Sequence, residues 1–183
     1  YAWKAGVAKA VITPAGPIWM AGYSARKKPS EGVRQDLYVK ALALQDETGQ
    51  TVVLVTLDLV GIKRELSAAI AERCRQQFGL SRDRLLLNVS HTHSGPVTSR
   101  PPAYAEVNQE QAEVIRRYTA GLLDKVVDAV GASIKDLAPA TLAFEQGLAG
   151  IAVNRRRVRV RSLPGPVDHD VPVLAVRDLE GKL

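Results

Sequence analysis

Hydrophobic positions along this chain fall into short strings with β character, interrupted by two longer stripes of helical period. Val7 to Ile12 is an apolar stretch closed by Thr13-Pro14, and Ala15 to Gly32, rich in Gly, Pro and Lys, reads as a long irregular loop. Loops of that length inside a domain often carry function. Val39 to Leu44 is apolar and ends in the turn signal Asp46-Glu47-Thr48-Gly49, after which Val52 to Leu57 continues as a β-branched apolar run. The pattern predicts a hairpin leading into a strand buried on both faces.

From Lys63 to Phe78 the apolar residues Leu66, Ile70, Cys74 and Phe78 recur every four positions, and Gly79 follows where a helix C-cap falls. Leu85-Leu86-Leu87-Asn88-Val89 reads as a second buried strand. Residues 52–89 therefore form a strand–helix–strand unit, whose two strands are expected to be parallel because a helix-length crossover joins them. A second helix is predicted from Asn108, which with Gln111 matches a capping box, along the stripe Ile115, Thr119, Leu122, Val126 and Ala129 to about Ser133. Thr141 to Gln146, Gly150 to Arg161 and Val171 to Val176 read as further strands, with Leu163-Pro164-Gly165-Pro166 a rigid turn. The expected fold class is α/β, a mixed β-sheet containing a parallel strand–helix–strand unit, with flanking helices.

One internal similarity bears on chain organisation. Leu42-Ala43-Leu44-Gln45-Asp46 leads through Gly49 into the strand at Val52, and Leu174-Ala175-Val176-Arg177-Asp178 leads through Gly181 toward Leu183. The second hairpin lacks a return strand, which would leave an unpaired edge. We therefore expect a sequence cut inside a domain, and the absence of an initiator Met fits a processed or trimmed chain.

Composition changes this picture little. The 183 residues, 46% hydrophobic and 24% charged, suit one well-buried domain over 1–183. The net charge is +6, but Lys and Arg are dispersed except from Arg155 to Arg161, and aromatics are 5%, so there is no strong nucleic-acid signal. The alternating run from Arg155 to Arg161 reads as a strand with one cationic face. A single cysteine, Cys74, excludes an intrachain disulfide and a cysteine-based zinc site. No apolar run approaches the roughly 20 residues of a transmembrane segment. Oligomeric state is left open.

The chemistry concentrates at the ends of the two paired strands. In a parallel unit both carboxyl ends share one sheet edge, where open α/β folds bind ligands. Those ends carry Asp58 and Ser90-His91-Thr92-His93-Ser94-Gly95-Pro96. Two of the chain's three histidines thus fall in one His-x-His, and neutral imidazole is the commonest zinc ligand. In an extended segment both rings point to one side; both can bind one metal, or one can bind while the other handles protons. Gly95 lets the backbone approach a substrate closely. A surface histidine pair is the bland reading, and for Asp58 it is a helix cap, weighed evenly against a contact that supports the site. Arg155, beside Asn154, is set apart from the cationic strand because a fixed guanidinium suits a carbonyl or developing oxyanion. His169 lies in a polar turn and is left out of the site.

Asn88-Val89-Ser90-His91-Thr92-His93-Ser94-Gly95-Pro96 resembles the Thr-His-Thr-His-Ser-Gly-Pro signature of neutral/alkaline non-lysosomal ceramidases. Gly6-Val7-Ala8-Lys9 with Ile12-Thr13-Pro14, Ala21-Gly22-Tyr23, the Asp58 strand and Asn154-Arg155 agree in order, so the resemblance covers nearly the whole chain. It implies a zinc-dependent amidase cleaving the N-acyl bond of ceramide or a related lipid amide, secreted or periplasmic, with zinc held by two histidines, a glutamate and a tyrosine. It further implies that His91 is a zinc ligand, that His93 is an adjacent catalytic histidine, and that Arg155, with Asn154, faces the substrate. The other metal ligands of the family lie beyond the sequence matched here, so the chain is expected to be the amino-terminal portion of a larger catalytic domain and inactive alone. Departures are Gly32-Val33-Arg34 in place of the family's Gly-Ile-His, and Val97-Thr98 where a second glycine is usual.

Other classes compete. A barrel-type metal hydrolase also places His-x-His at a strand end but needs about 250 residues. Relatives acting on other amides or esters, a non-catalytic binding domain of the same fold, and a nucleic-acid module using the Arg155 to Arg161 strand complete the field.

Overall fold

The structure, a computed structural model, describes residues 3–98, 107–156 and 165–182. The chain divides into two compact units, Trp3–Ala138 and Pro139–Leu183. The first holds strands β1 (Trp3–Val11), β2 (Tyr38–Gln45), β3 (Thr51–Leu57) and β4 (Leu85–Val89), with helices α1 (Arg64–Phe78) and α2 (Gln109–Lys135). The second holds most of β5 (Ala138–Leu148) and all of β6 (Asp170–Arg177).

In the first unit the strands run in the order β4-β3-β2-β1. β1 pairs antiparallel with β2, and β2 antiparallel with β3 through the Asp46–Gly49 turn. Asp46 builds that turn: its carboxylate accepts from the Thr48 and Gln50 amides, and Gly49 takes φ 81°. β3 and β4 are parallel, with Leu57 opposite Val89. The expected mixed sheet and parallel strand–helix–strand unit are present.

Alternation along the strands sends one face to the helices. Val39, Ala41, Ala43, Val53, Val55, Leu57 and Leu85 pack against Leu66, Ile70 and Cys74 of α1 and Leu122, Val126, Val127 and Val130 of α2. Cys74 is fully buried, and burial pushes its thiol up to about 11. The α1 stripe ends as the sequence predicts, with Gly79 at φ 65°. At the start of α2, Asn108 Oδ1 accepts the Gln111 amide at 2.9 Å, one half of the capping box; the helix ends at Lys135, two residues past the expected Ser133.

Two expectations are corrected. β3 and β4 are buried on one face only, since Val52 is 39% and Leu86 57% exposed on the other. A uniformly apolar string cannot by itself distinguish a strand covered on both sides from one whose second face is open. Gly150 to Arg156 forms no strand: it passes through a turn and a short helical stretch. Gly and Asn break the extended run there. Arg157 to Arg161, Leu163 and Pro164 lie outside the described residues.

A smaller apolar cluster positions the site. Ile18, Trp19 and Ala21, from the loop after β1, pack with Val97 and Ile115. The long loop is therefore irregular but anchored. Among the described residues no helix is long and apolar enough to cross a membrane.

Candidate active site

The parallel pair places its two carboxyl ends side by side, and the backbone leaves the sheet immediately. Ser90 donates its amide to Leu57 O at 3.0 Å, the last such bond from that segment to β3. His91 then turns to φ 57°, a left-handed conformation that is uncommon outside glycine. The segment is consequently not extended, as the sequence reading assumed, yet the two rings still converge. Their centroids lie 5.0 Å apart at 73°, and His93 Nε2 is 3.4 Å from His91 Nε2.

His91 Nδ1 lies 2.6 Å from the Val60 carbonyl oxygen. A carbonyl only accepts, so Nδ1 is the donor, and in the neutral ring Nε2 is the nitrogen left with a lone pair. A metal-binding imidazole is commonly fixed this way, through a backbone carbonyl on its other nitrogen. Among the described residues the His93 ring nitrogens have one partner within hydrogen-bonding range, His91, so no carbonyl fixes the His93 tautomer. Two nitrogens on one tetrahedral zinc at about 2.0–2.1 Å stand roughly 3.3–3.4 Å apart. The observed spacing thus suits a shared ion, or an ion on His91 with His93 beside it. No group of three or more His, Cys, Asp or Glu side chains is placed to hold a metal among the described residues.

Asp58 serves the sheet edge. Its carboxylate accepts the Tyr38 amide at 3.0 Å, while its own amide donates to Tyr38 O at 3.0 Å. It does not cap α1, whose N-cap is Lys63; Asp58 lies five positions before it, too far for a cap. The group from this segment that reaches His91 is the Val60 carbonyl, two residues further on. Gly95 is buried, and a Cβ there would stand 3.1 Å from Asp58 O, so its lack of a side chain lets the motif close onto the β3 end. Asn154 and Arg155 lie in the second unit, where Asn154 Nδ2 donates to Pro166 O and its Oδ1 accepts the Arg156 amide. His169, in the same unit, has Nδ1 3.2 Å from Ala149 O.

The sequence marks Ala21-Gly22-Tyr23 as a family-like stretch but assigns no role to the residues of the Ile18 to Arg26 loop that meet the motif. Val97 donates to Trp19 O at 2.8 Å and Ala21 to Gly95 O at 2.9 Å, and Met20 forms an antiparallel bridge with Pro96. Gly22, at φ 101°, passes directly beneath the His93 ring, where a Cβ would lie 2.5 Å from Cγ. Tyr23 meets that ring edge-on at 4.8 Å. Arg26 reaches across to both segments, donating to Ala21 O and to His93 O. The available signal was the Gly-Tyr pair inside a loop too long to be a simple connection.

The structure is an α/β domain with a histidine pair at the carboxyl edge of a parallel strand pair, one ring meeting a backbone carbonyl and the other packed against Gly22 and Tyr23. Residues 3–162 match the N-terminal model of the neutral/alkaline non-lysosomal ceramidases, and the chain belongs to that family of ceramidase-type hydrolases. It is 24% identical over 183 aligned residues to neutral ceramidase A of Dictyostelium discoideum, covering 93% of this chain and 25% of that protein. It is 30% identical over 101 residues to neutral ceramidase of Drosophila melanogaster, covering 51% of this chain and 14% of that protein. The fold matches neutral ceramidase from Pseudomonas aeruginosa with TM-score 0.82 and a ceramidase complexed with C2 with TM-score 0.79. Each is 22% identical, over 99% of this chain and 30% of the solved chain. The chain thus spans less than a third of the length of these relatives.

Proposed function

We propose that this chain contributes the first part of a zinc-dependent amidase site that hydrolyses the N-acyl bond of ceramide or a closely related lipid amide. The observation that carries the reading is the 2.6 Å contact of His91 Nδ1 with Val60 O, which leaves Nε2, 3.4 Å from His93 Nε2, as the nitrogen able to bind a metal. Family membership supports the ceramidase chemistry, and a relative bound to C2 is a solved example of the fold.

In this reading His91 Nε2 is the metal donor, and bound zinc would lower the pKa of its water to about 7 and polarise the scissile carbonyl. His93 has the work of moving a proton. Its ring lies against His91, no carbonyl meets its ring nitrogens among the described residues, and imidazole is the side chain suited to proton transfer near neutral pH. Asn154 and Arg155 supply contacts to the substrate carbonyl, a role supported by their match to the family's Asn-Arg pair. A catalytic zinc normally uses three protein ligands, and no group of three candidate ligands occurs among the described residues, so in this reading the remaining donors come from outside them. The chain's modest share of its relatives' length supports that arrangement.

The test is hydrolysis of a fluorescent N-acylsphingosine by this chain expressed with whatever sequence follows it in its gene. Activity should disappear on chelation and return with zinc. Activity indifferent to chelators contradicts the metal reading, and zinc binding without amide or ester hydrolysis favours a non-catalytic binding domain.

A further inference from the structure

Once β4 ends, neither helix nor sheet holds the His93 ring opposite His91 among the described residues. Ser94 donates its amide to Thr92 Oγ1 at 3.2 Å, which shapes the turn but does not reach the ring. What does reach it comes from the loop after β1. The Arg26 guanidinium donates through Nη1 to Ala21 O and through Nη2 to His93 O at 2.7 Å. One side chain thereby ties the carbonyls of both segments. The same guanidinium sits 5.0 Å from the centre of the Tyr23 ring, Tyr23 meets His93 edge-on at 4.8 Å, and His93 meets His91 at 5.0 Å. Arg26, Tyr23, His93 and His91 form one continuous column.

We propose that Arg26 is the positioning residue of the histidine pair, holding His93 in the orientation that sets its Nε2 against that of His91. The role follows from guanidinium chemistry: a planar fork with several fixed donors can serve two carbonyls while its face stacks on an aromatic ring. Lysine has a compact ammonium on a flexible stem and cannot do all three at once. Arg26 acts through the backbone and ring of His93 and touches no reacting atom. The functional consequence rests on the amidase reading above; the geometry does not.

The test uses proton NMR of the metal-free chain, whose three histidines give three imidazole spin systems, with His169 as an internal reference in the second unit. The unmodified chain should show cross-peaks between the His91 and His93 rings and between the Tyr23 and His93 rings. In Arg26→Ala both should vanish while His169 and far-UV circular dichroism stay unchanged. Arg26→Lys should keep the fold and restore the ring contacts only in part. In the complete gene product, Arg26→Ala should lower kcat by about 10–100-fold, the range for groups that orient an active residue, with zinc content and KM little changed. Cross-peaks that persist in a folded Arg26→Ala chain overturn the proposal. So does full restoration by lysine, which also decides the matter if the alanine variant fails to fold. If the unmodified protein shows no zinc-dependent hydrolysis, the amidase reading fails while the metal-free cross-peaks still decide the role of Arg26.

Discussion

Replacing Gly22 by alanine probes the contact on which the site architecture depends. Gly22 sits at φ 101°, and a Cβ added there would lie 2.5 Å from Cγ, 2.7 Å from Cβ and 2.8 Å from Nδ1 of His93. A left-handed backbone costs a residue with a side chain about 1–2 kcal/mol. Carbon atoms pack at about 3.5–4.0 Å, so the ring or the loop must retreat by roughly 1 Å, and overpacking of this kind costs about 1–3 kcal/mol. The two effects sum to about 2–5 kcal/mol, or roughly 8–20 °C in thermal midpoint at about 4 °C per kcal/mol for a unit of this size. Gly16→Ala is the control, because Gly16 has no positive φ and nothing within 4 Å of the added carbon; it should stay within about 0.5 kcal/mol. Differential scanning calorimetry on both variants, with the His93 ring signals followed by NMR, reads stability and site together. If Gly22→Ala melts with Gly16→Ala and leaves the His93 resonances in place, the loop does not pass beneath His93 and the positioning argument falls.

Three further outcomes are expected. Asp58→Ala removes the acceptor of the Tyr38 amide and should cost about 1–3 kcal/mol in urea denaturation, whereas Asp58→Asn keeps an oxygen there and should recover most of it; equal losses would remove Asp58 from that role. Burial raises the Cys74 thiol from 9.0 to about 11, so the folded chain retains its proton where the unfolded chain gives it up. The contribution from Cys74 is therefore present below pH 9 and declines as pH rises from 9 toward 11, which a pair of denaturation curves at pH 8 and pH 10.5 on Cys74→Ala and the unmodified chain would resolve. The 183-residue chain alone should bind zinc weakly in a competition assay with a chromophoric chelator, because one or two imidazoles leave a catalytic zinc short of ligands; tight stoichiometric binding would require further donors within the chain.

Much of the fold could be read from periodicity. The four-residue spacing of Leu66, Ile70 and Cys74, closed by Gly79, has few alternatives to a helix, and a helix between two neighbouring strands favours a parallel pair, which puts Asp58 and the His-x-His on one edge. The second face of β3 was less legible, since Val52 and Leu54 are as apolar as Val53 and Val55 whether or not anything covers them. Within the site, the histidines were visible as residue types, but their supporting contacts were not. The Val60 carbonyl is a backbone atom and leaves no residue-type signal. Arg26 lies 67 residues from His93 in sequence and looks like one more cation in a basic loop. The left-handed turn at His91 was equally hidden, because nothing in Ser90-His91-Thr92 announces it.

The central claim is that His91 holds the metal while His93 moves the proton. The most direct measurement is the zinc content of His91→Ala and His93→Ala, each in the complete gene product, by metal analysis beside N-acylsphingosine hydrolysis. His91→Ala should lose both zinc and activity, and His93→Ala should keep zinc near the unmodified level while its rate falls by about 10²–10⁴-fold, the usual contribution of a general acid or base. Equal loss of zinc from both variants would make His93 a ligand as well and contradict the division of roles. Unchanged zinc and activity in both would return the pair to an ordinary surface feature at a strand end.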